Sequence, residues 1–270
     1  MKPTQVIAAA PAMDGAGVRI NRIAGRHRLM DPYLMIDEIR SDEAQDYMAG
    51  FPPHPHRGFE TITYLLQGRM KHEDQLGNQR VMSDGGVQWM TTGRGIVHSE
   101  MPEASVGQFH GFQIWLNLPS EQKMMDPAYQ DLDPAAIPQF ESGDAQIKLI
   151  AGALVVGGER LSGGFSNGLR TEATLADVRL PAGSQLALSV GASRALMVYV
   201  YEGSDRFIPR GHLGVFDGGV AELTAQEDLR AVVLAGEPLE EPVVQHGPFV
   251  MNTGAEIQQA LRDFATGALG

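Results

Sequence analysis

His54-Pro-His-Arg-Gly-Phe-Glu-Thr-Ile-Thr-Tyr-Leu-Leu-Gln-Gly68 is the stretch on which the reading of this chain turns. Its second half, Glu60 to Leu66, is rich in β-branched and aromatic residues and stops at Gly68, the pattern of a strand closed by a turn. Its first half carries His54 and His56 two residues apart. Alternate side chains of an extended chain share a face, so the two imidazoles project together. Pro55 favours extension at His54, because the residue before a proline avoids the helical region. Glu60 has the same parity and faces the same way if no bulge intervenes. Neutral imidazoles suit iron, nickel, copper, zinc or cobalt. A pair of surface histidines in a proline-rich loop is the competing reading of this motif alone.

A second segment, Gly93-Arg-Gly95-Ile-Val-His98-Ser-Glu100-Met-Pro102, repeats the spacing. A strand would present His98 and Glu100 on one face, and Gly93 and Gly95 permit a sharp approach to it. Alone, it also reads as a surface His and Glu after a glycine turn. Together the two segments are more specific. Strand-like runs and turns separate them, and a β-barrel brings such strands side by side. Three imidazoles and one carboxylate would then meet in the barrel mouth. Four such ligands close a tetrahedral zinc site but leave about two positions open on a six-coordinate ion. Open positions are what direct substrate ligation or oxygen chemistry needs.

The rest of the chain follows the same strand-and-turn rhythm. Its 32 glycines and 16 prolines punctuate short runs of Val, Ile, Leu, Tyr and Phe, which predicts an all-β sandwich or barrel. Gly111–Asn117, Leu196–Tyr201 and Arg230–Ala235 are such runs, while Leu186, Leu188 and Val190 alternate with small or polar neighbours. One helix is expected near the C-terminus. Thr253 and Glu256 form a capping box, Ile257, Ala260, Leu261 and Phe264 follow at helical spacing, and Gly267 stops it. It reads as a packing element. Pro119 to Phe140, rich in proline and acid, reads as a linker with a helical turn and divides the chain into similar halves, residues 1–134 and 135–270. Ile62–Gly68 against Val198–Gly203, and Ser83–Gly86 against Asp217–Gly219, are a faint internal echo of a duplication.

Composition removes several classes. The 270 residues include 21 basic and 33 acidic ones, a formal charge of −12 that disfavours nucleic-acid backbones and anionic membranes. With no cysteine, disulfides, thiolate zinc sites, iron–sulfur clusters and cysteine nucleophiles are all excluded. No apolar run approaches the roughly 18 residues of a spanning helix. The N-terminus, Met1 to Gly17, has too small an apolar patch for a signal peptide, so a soluble, cytoplasmic protein is expected.

HPHRGFETITYLLQG and GGVQWMTTGRGIVHSEMP resemble the pirin family of the cupin superfamily. The resemblance extends to Met30–Glu38, His110–Pro119 and Glu241–Asn252, nearly the whole chain. It implies a bicupin: two tandem jelly-roll-type β-barrels, the N-terminal domain (1–134) binding metal and the C-terminal domain (135–270) not. Carried over by position, the implied ligands are His54, His56, His98 and Glu100. Glu60, which completes the set in general cupins, would be a barrel-lining group orienting an imidazole. Gly93, where general cupins often have proline, fits the pirin pattern. The second half supports the same picture, since it holds only His212 and His246 and no His-x-His.

The remaining histidines read first as structural or solvated: His27 in a basic patch, His72 near a strand end, on the surface with the pocket rim as the alternative, and His110 before a strand. Trp89, Trp115 and the methionines read as core fillers. Gln113 could point into the first barrel. The resemblance implies one divalent transition metal, iron first, with nickel, manganese, cobalt, copper and zinc left open. It also implies a dioxygenase of the quercetin 2,3-dioxygenase kind, taking a small aromatic flavonol and dioxygen, with Glu100 as the catalytic base. A regulatory, redox-sensing protein that binds a transcription factor or metabolic enzyme is the alternative, and a structural zinc cupin a third.

Overall fold

Alternating apolar positions place the chain in antiparallel strands, and the strands form two barrels, the all-β architecture expected, with a short C-terminal helix. The computed structural model describes residues 1–103, 108–165 and 171–269. Two compact units emerge. One comprises Pro11–His27, Tyr33–Pro134 and Glu240–Gly270; the other comprises Met1–Ala10, Arg28–Pro32 and Ala135–Leu239. The units divide between Pro134 and Ala135, and the chain ends are exchanged. Gln5–Ala8 pairs with His212–Phe216 and becomes the edge of the second unit's sheet. Residues 240–270 join the first unit because their helix buries an apolar face there.

The first unit contains eleven strands that matter here: β1 (Ala10–Asp14), β2 (Val18–Ala24), β3 (Tyr33–Ser41), β4 (Phe51–His56), β5 (Phe59–Gln67), β6 (Met70–Asp74), β7 (Gln79–Met82), β8 (Val87–Thr91), β9 (Ile96–Pro102), β10 (Phe109–Asn117) and β11 (Ala128–Leu132). Seven of them form one sheet in the order β11-β8-β5-β10-β3-β2-β1, and the other four form a second in the order β4-β9-β6-β7. The stretch expected to be a linker is therefore partly ordered. Ala128–Leu132 pairs with β8, and only Ser120–Gln122 and Pro134–Ala136 make short helical turns. One end of the barrel closes on Val18, Ile20, Ile39, Tyr47, Leu65 and Phe109.

The second unit repeats the plan with another seven-stranded and four-stranded sheet. Its interior is hydrocarbon: Ile147, Leu149, Val178, Leu188, Val198 and Val233 are all buried in one cluster. The predicted helix spans Gly254–Ala265 with the capping box in place. Thr253 accepts from the Glu256 amide at 3.3 Å, and Glu256 accepts from the Thr253 amide at 2.8 Å. Ile257 and Ala260 bury against Phe249, Met251 and Leu269. No helix among the described residues is long and apolar enough to cross a membrane.

A buried lysine ties three segments of the first unit together. Lys123 is 1% exposed, and its Nζ donates to the Gly58 carbonyl at 2.6 Å, to Asn117 Oδ1 at 2.6 Å and to the Val250 carbonyl at 3.1 Å. Burial pushes its ammonium down to about 8, against the pull of Glu241 and Glu256. At neutral pH it is therefore still protonated and has a proton for each acceptor. Lys123→Met would leave three buried oxygens without this donor and should lower the unfolding free energy by about 2–4 kcal/mol. Urea denaturation at pH 7 checks it; an unchanged midpoint and slope would show that the clip contributes nothing.

Candidate metal centre

The centre is built from the turn outward. β4 passes into β5 through Arg57 and Gly58, whose φ is +91°. A Cβ at Gly58 would sit 2.1 Å from the Val250 carbonyl oxygen, so only glycine lets the chain turn this tightly against its neighbour. Gly93, at φ +49°, is under the same constraint against the Met125 carbonyl. Its own carbonyl accepts from the Gly58 amide at 2.9 Å. The two glycines thereby fix the histidine strand beside the turn that leads into β9.

β9 runs antiparallel between β4 and β6. His98 stands opposite His54 on one side and Asp74 on the other; Ile96 faces His56, and Glu100 faces His72. Directly opposed residues share a face, so these side chains point the same way. A bulge between His98 and Glu100 shifts Glu100 opposite Phe51. The three imidazole rings then lie within 5 Å of one another: 4.7 Å for His54 and His56, 4.4 Å for His54 and His98, 5.0 Å for His56 and His98. One nitrogen from each lies within 4.8 Å of the others.

The opposite nitrogens are occupied. His54 Nδ1 bonds the Pro52 carbonyl at 2.9 Å, His56 Nδ1 meets the Pro248 carbonyl at 3.4 Å, and His98 Nδ1 meets His72 Nδ1 at 3.4 Å. A carbonyl only accepts, so His54 and His56 carry their proton on Nδ1 and offer the Nε2 lone pair. His98 Nε2 is buried without a hydrogen-bond partner among the described residues. A buried polar atom is rarely left so, and a metal ion would satisfy it. Three neutral imidazole nitrogens suit divalent iron, nickel, copper, cobalt or zinc. Burial, reinforced by the neighbouring imidazoles, holds His56 and His98 well below the ordinary histidine value. They are therefore neutral, as ligation requires.

Glu100 is 3% exposed and stands beside this trio rather than inside it. The Thr63 hydroxyl lies 2.8 Å from Glu100 Oε1 and 2.7 Å from Gln113 Oε1. One hydroxyl proton cannot serve two acceptor oxygens. Turning the Gln113 amide so that its NH2 donates to Thr63 satisfies both contacts with Glu100 ionised. Glu60 lies on the larger sheet and accepts from Thr91 at 2.6 Å.

His54 and His56 open onto a cavity of about 650 Å³. Phe51, Pro52, Met35 and Trp115 supply apolar wall, and Glu100, Gln113, Asp37 and Arg22 supply polar wall. Arg22 is committed within the site: it donates to both Asp37 oxygens, at 2.8 and 2.6 Å, and also to Asp14. Gln245, Gly247 and Pro248 cover one side.

Comparison with known proteins places the chain. Residues 17–116 match the Pirin family model, and residues 175–270 match that of the Pirin C-terminal cupin domain. The chain belongs to the pirin family. A Pseudomonas aeruginosa relative named "Putative quercetin 2,3-dioxygenase" is 44% identical over 96% of this chain and 94% of its own length. Human Pirin is 39% identical over 97% of this chain and 92% of its own. The crystal structure of an Acinetobacter baumannii quercetin 2,3-dioxygenase superposes with a TM-score of 0.88 at 30% identity, covering all of this chain and 98% of that one.

Within this pirin, the structure brings His54, His56 and His98 together and sets Glu100 on the same cavity wall. Gln113 lines the cavity, and His110 is buried against Glu38 at 2.9 Å, a structural place. Two readings are corrected. His72 is not at the surface: it is fully buried, because β6 lies inside the smaller sheet and turns His72 to the barrel interior. Trp115 is not simply core: it borders the cavity with its ring 5.3 Å from that of His56. Arg22, Asp37 and Thr63 were also missed, since each is an isolated polar residue in a strand-like run. The one available signal was their parity with inward-facing neighbours.

The depressed histidines set a pH dependence. In the unfolded chain His56 and His98 protonate near 6.5, whereas in the fold they stay neutral well below that. Below pH 6.5 the unfolded state then binds more protons, and stability falls as pH falls. The slope is up to about 1.4 kcal/mol per pH unit for each histidine until the folded values are reached. Urea denaturation of metal-free protein between pH 7.5 and 5 should show this loss, and His56→Gln should remove about half of it.

Proposed function

We propose that this pirin is a metal-dependent dioxygenase that opens flavonols such as quercetin with dioxygen, with loss of carbon monoxide. The observation that carries the reading is the convergence of three imidazoles, two of them on the wall of a cavity whose other walls are aromatic, apolar and acidic. The names of the Pseudomonas and Acinetobacter relatives support the substrate class. The proposed ligands are His54, His56, His98 and Glu100. A divalent metal held there, iron in this reading, supplies Lewis acidity toward an aromatic hydroxyl and a redox centre for dioxygen. Nickel, manganese, cobalt, copper and zinc are alternatives for the same donor set.

The chain's own residues do the rest. Phe51, Trp115 and Pro52 offer flat apolar surface to an aromatic ring system. Glu100 faces the same space and takes the proton from the flavonol 3-hydroxyl. Its hydrogen bond from Thr63 fixes one oxygen, so the other is the atom that would ligate the metal and take that proton. The covering residues Gln245, Gly247 and Pro248 limit water, which would compete for the oxygenated product.

Turnover of quercetin by metal-loaded protein, followed by flavonol absorbance and carbon monoxide release, tests the proposal. Glu100→Gln should lower the rate by about 10²–10⁴-fold, the usual worth of a positioned base. His98→Ala should lose both bound metal, measured by elemental analysis, and turnover. Wild-type rates no higher than those of Glu100→Gln would overturn the proposal.

A further inference from the structure

The mechanism above leaves the buried His72 unused. His72 is 0% exposed and lies between the rings of His98, at 5.2 Å, and Tyr129, at 4.8 Å. Its two nitrogens are both engaged: Nδ1 meets His98 Nδ1 at 3.4 Å, and Nε2 meets Asp74 Oδ2 at 3.4 Å. Asp74 is itself pinned. Its Oδ1 accepts from the Leu76 and Asn78 amides at 2.9 and 3.0 Å, and its Oδ2 accepts from Asn78 Nδ2 at 2.7 Å. The carboxylate cannot turn away from His72 without breaking that turn.

With one proton on each imidazole, counting along this row leaves one arrangement. Asp74 only accepts when ionised, so His72 must carry its proton on Nε2. His72 Nδ1 is then a lone pair, and His98 must donate to it from its own Nδ1. That leaves His98 Nε2 as a lone pair, the form a metal ligand needs. The reverse assignment puts a lone pair of His72 against the carboxylate and aims an N–H of His98 into the site. His54 and His56 obtain the same outcome more simply, from the backbone carbonyls of Pro52 and Pro248. β9 lies between β4 and β6, so His98 has an imidazole and not a carbonyl behind it.

We propose that His72 and Asp74 are positioning residues that dictate the tautomer of His98, a two-link relay from carboxylate to ligand. The proposal rests on the reading of His54, His56 and His98 as a metal site. Second partners of this kind typically carry 10–100-fold of metal affinity.

Two measurements on the full-length protein test it. Long-range ¹H–¹⁵N NMR of the metal-free wild type at pH 7.5 should show His98 protonated on Nδ1 and His72 on Nε2; His98 protonated on Nε2 would overturn the relay. Cobalt(II) titration, followed by its visible spectrum, should give affinity about 10–100-fold weaker for His72→Phe than for wild type. His72→Gln, whose amide can accept from His98 and donate to Asp74, should recover most of that loss, which a purely space-filling role would not predict. Thermal unfolding of the metal-free variants separates any packing defect from lost affinity. The two readings fail differently. Cobalt binding that survives His98→Ala overturns the metal site itself, whereas binding lost in His98→Ala but unchanged in His72→Phe overturns only the relay.

Discussion

The pairing of β4 with β9 is the constraint on which the site depends. Antiparallel register sets His54 opposite His98, and the period of two adds His56 and Glu100 to the same face. A one-residue slip would turn all of these side chains to the other side of the sheet. The register is held from both ends. Gly58 and Gly93 permit close backbone packing at the turn, and the bulge opposite Ser99 absorbs the extra residue that β4 carries between His54 and Phe51. The convergence of the three imidazoles is a consequence of strand pairing.

The larger sheet answers this wall with a polar row. Arg22, Asp37, Gln113, Thr63, Gln88 and Asp131 are successive cross-strand neighbours. Such a row is costly inside a barrel unless each group finds a partner. Arg22 bonds Asp37, Thr63 bridges Gln113 and Glu100, and Gln88 donates to Tyr129, which donates to Asp131. The second unit repeats the strand plan but fills its interior with leucine, valine, isoleucine and alanine. The same sheet arrangement therefore gives a packed core in one unit and a polar, histidine-lined cavity in the other. What distinguishes them is the identity of the inward-facing residues.

Much of this was legible in the sequence, and the rest failed for definable reasons. His54, His56, His98 and Glu100 stand out because a two-residue spacing survives any strand placement. His72 does not, because a lone histidine amid Lys71, Glu73 and Asp74 looks solvated until β6 is known to lie within a sheet. Trp115 was misread because alternation tells which side faces inward but not whether the interior is filled. The exchanged chain ends were invisible for a similar reason. Gln5–Ala8 pairs with residues more than two hundred positions away, and nothing local in its composition names that partner.

The C-terminal helix shows how far a packing element can reach into a site. Its sequence reads only as an amphipathic stop, and it does bury Ile257 and Ala260. Asp263, however, bonds Arg57 at 2.7 Å, and that bond first, then one from Gln259, holds the Asp263 carboxyl below its usual range. Arg57 is 3% exposed, follows His56 directly and donates to the Arg94 carbonyl. Its own backbone pairs with the tail, through its carbonyl to the Val250 amide at 3.0 Å. The helix thus anchors the residue beside a candidate ligand, and the same tail supplies the Pro248 carbonyl behind His56. A segment remote in sequence is in this way part of what orients the imidazoles, which is why the first unit needs residues 240–270 to complete its cavity.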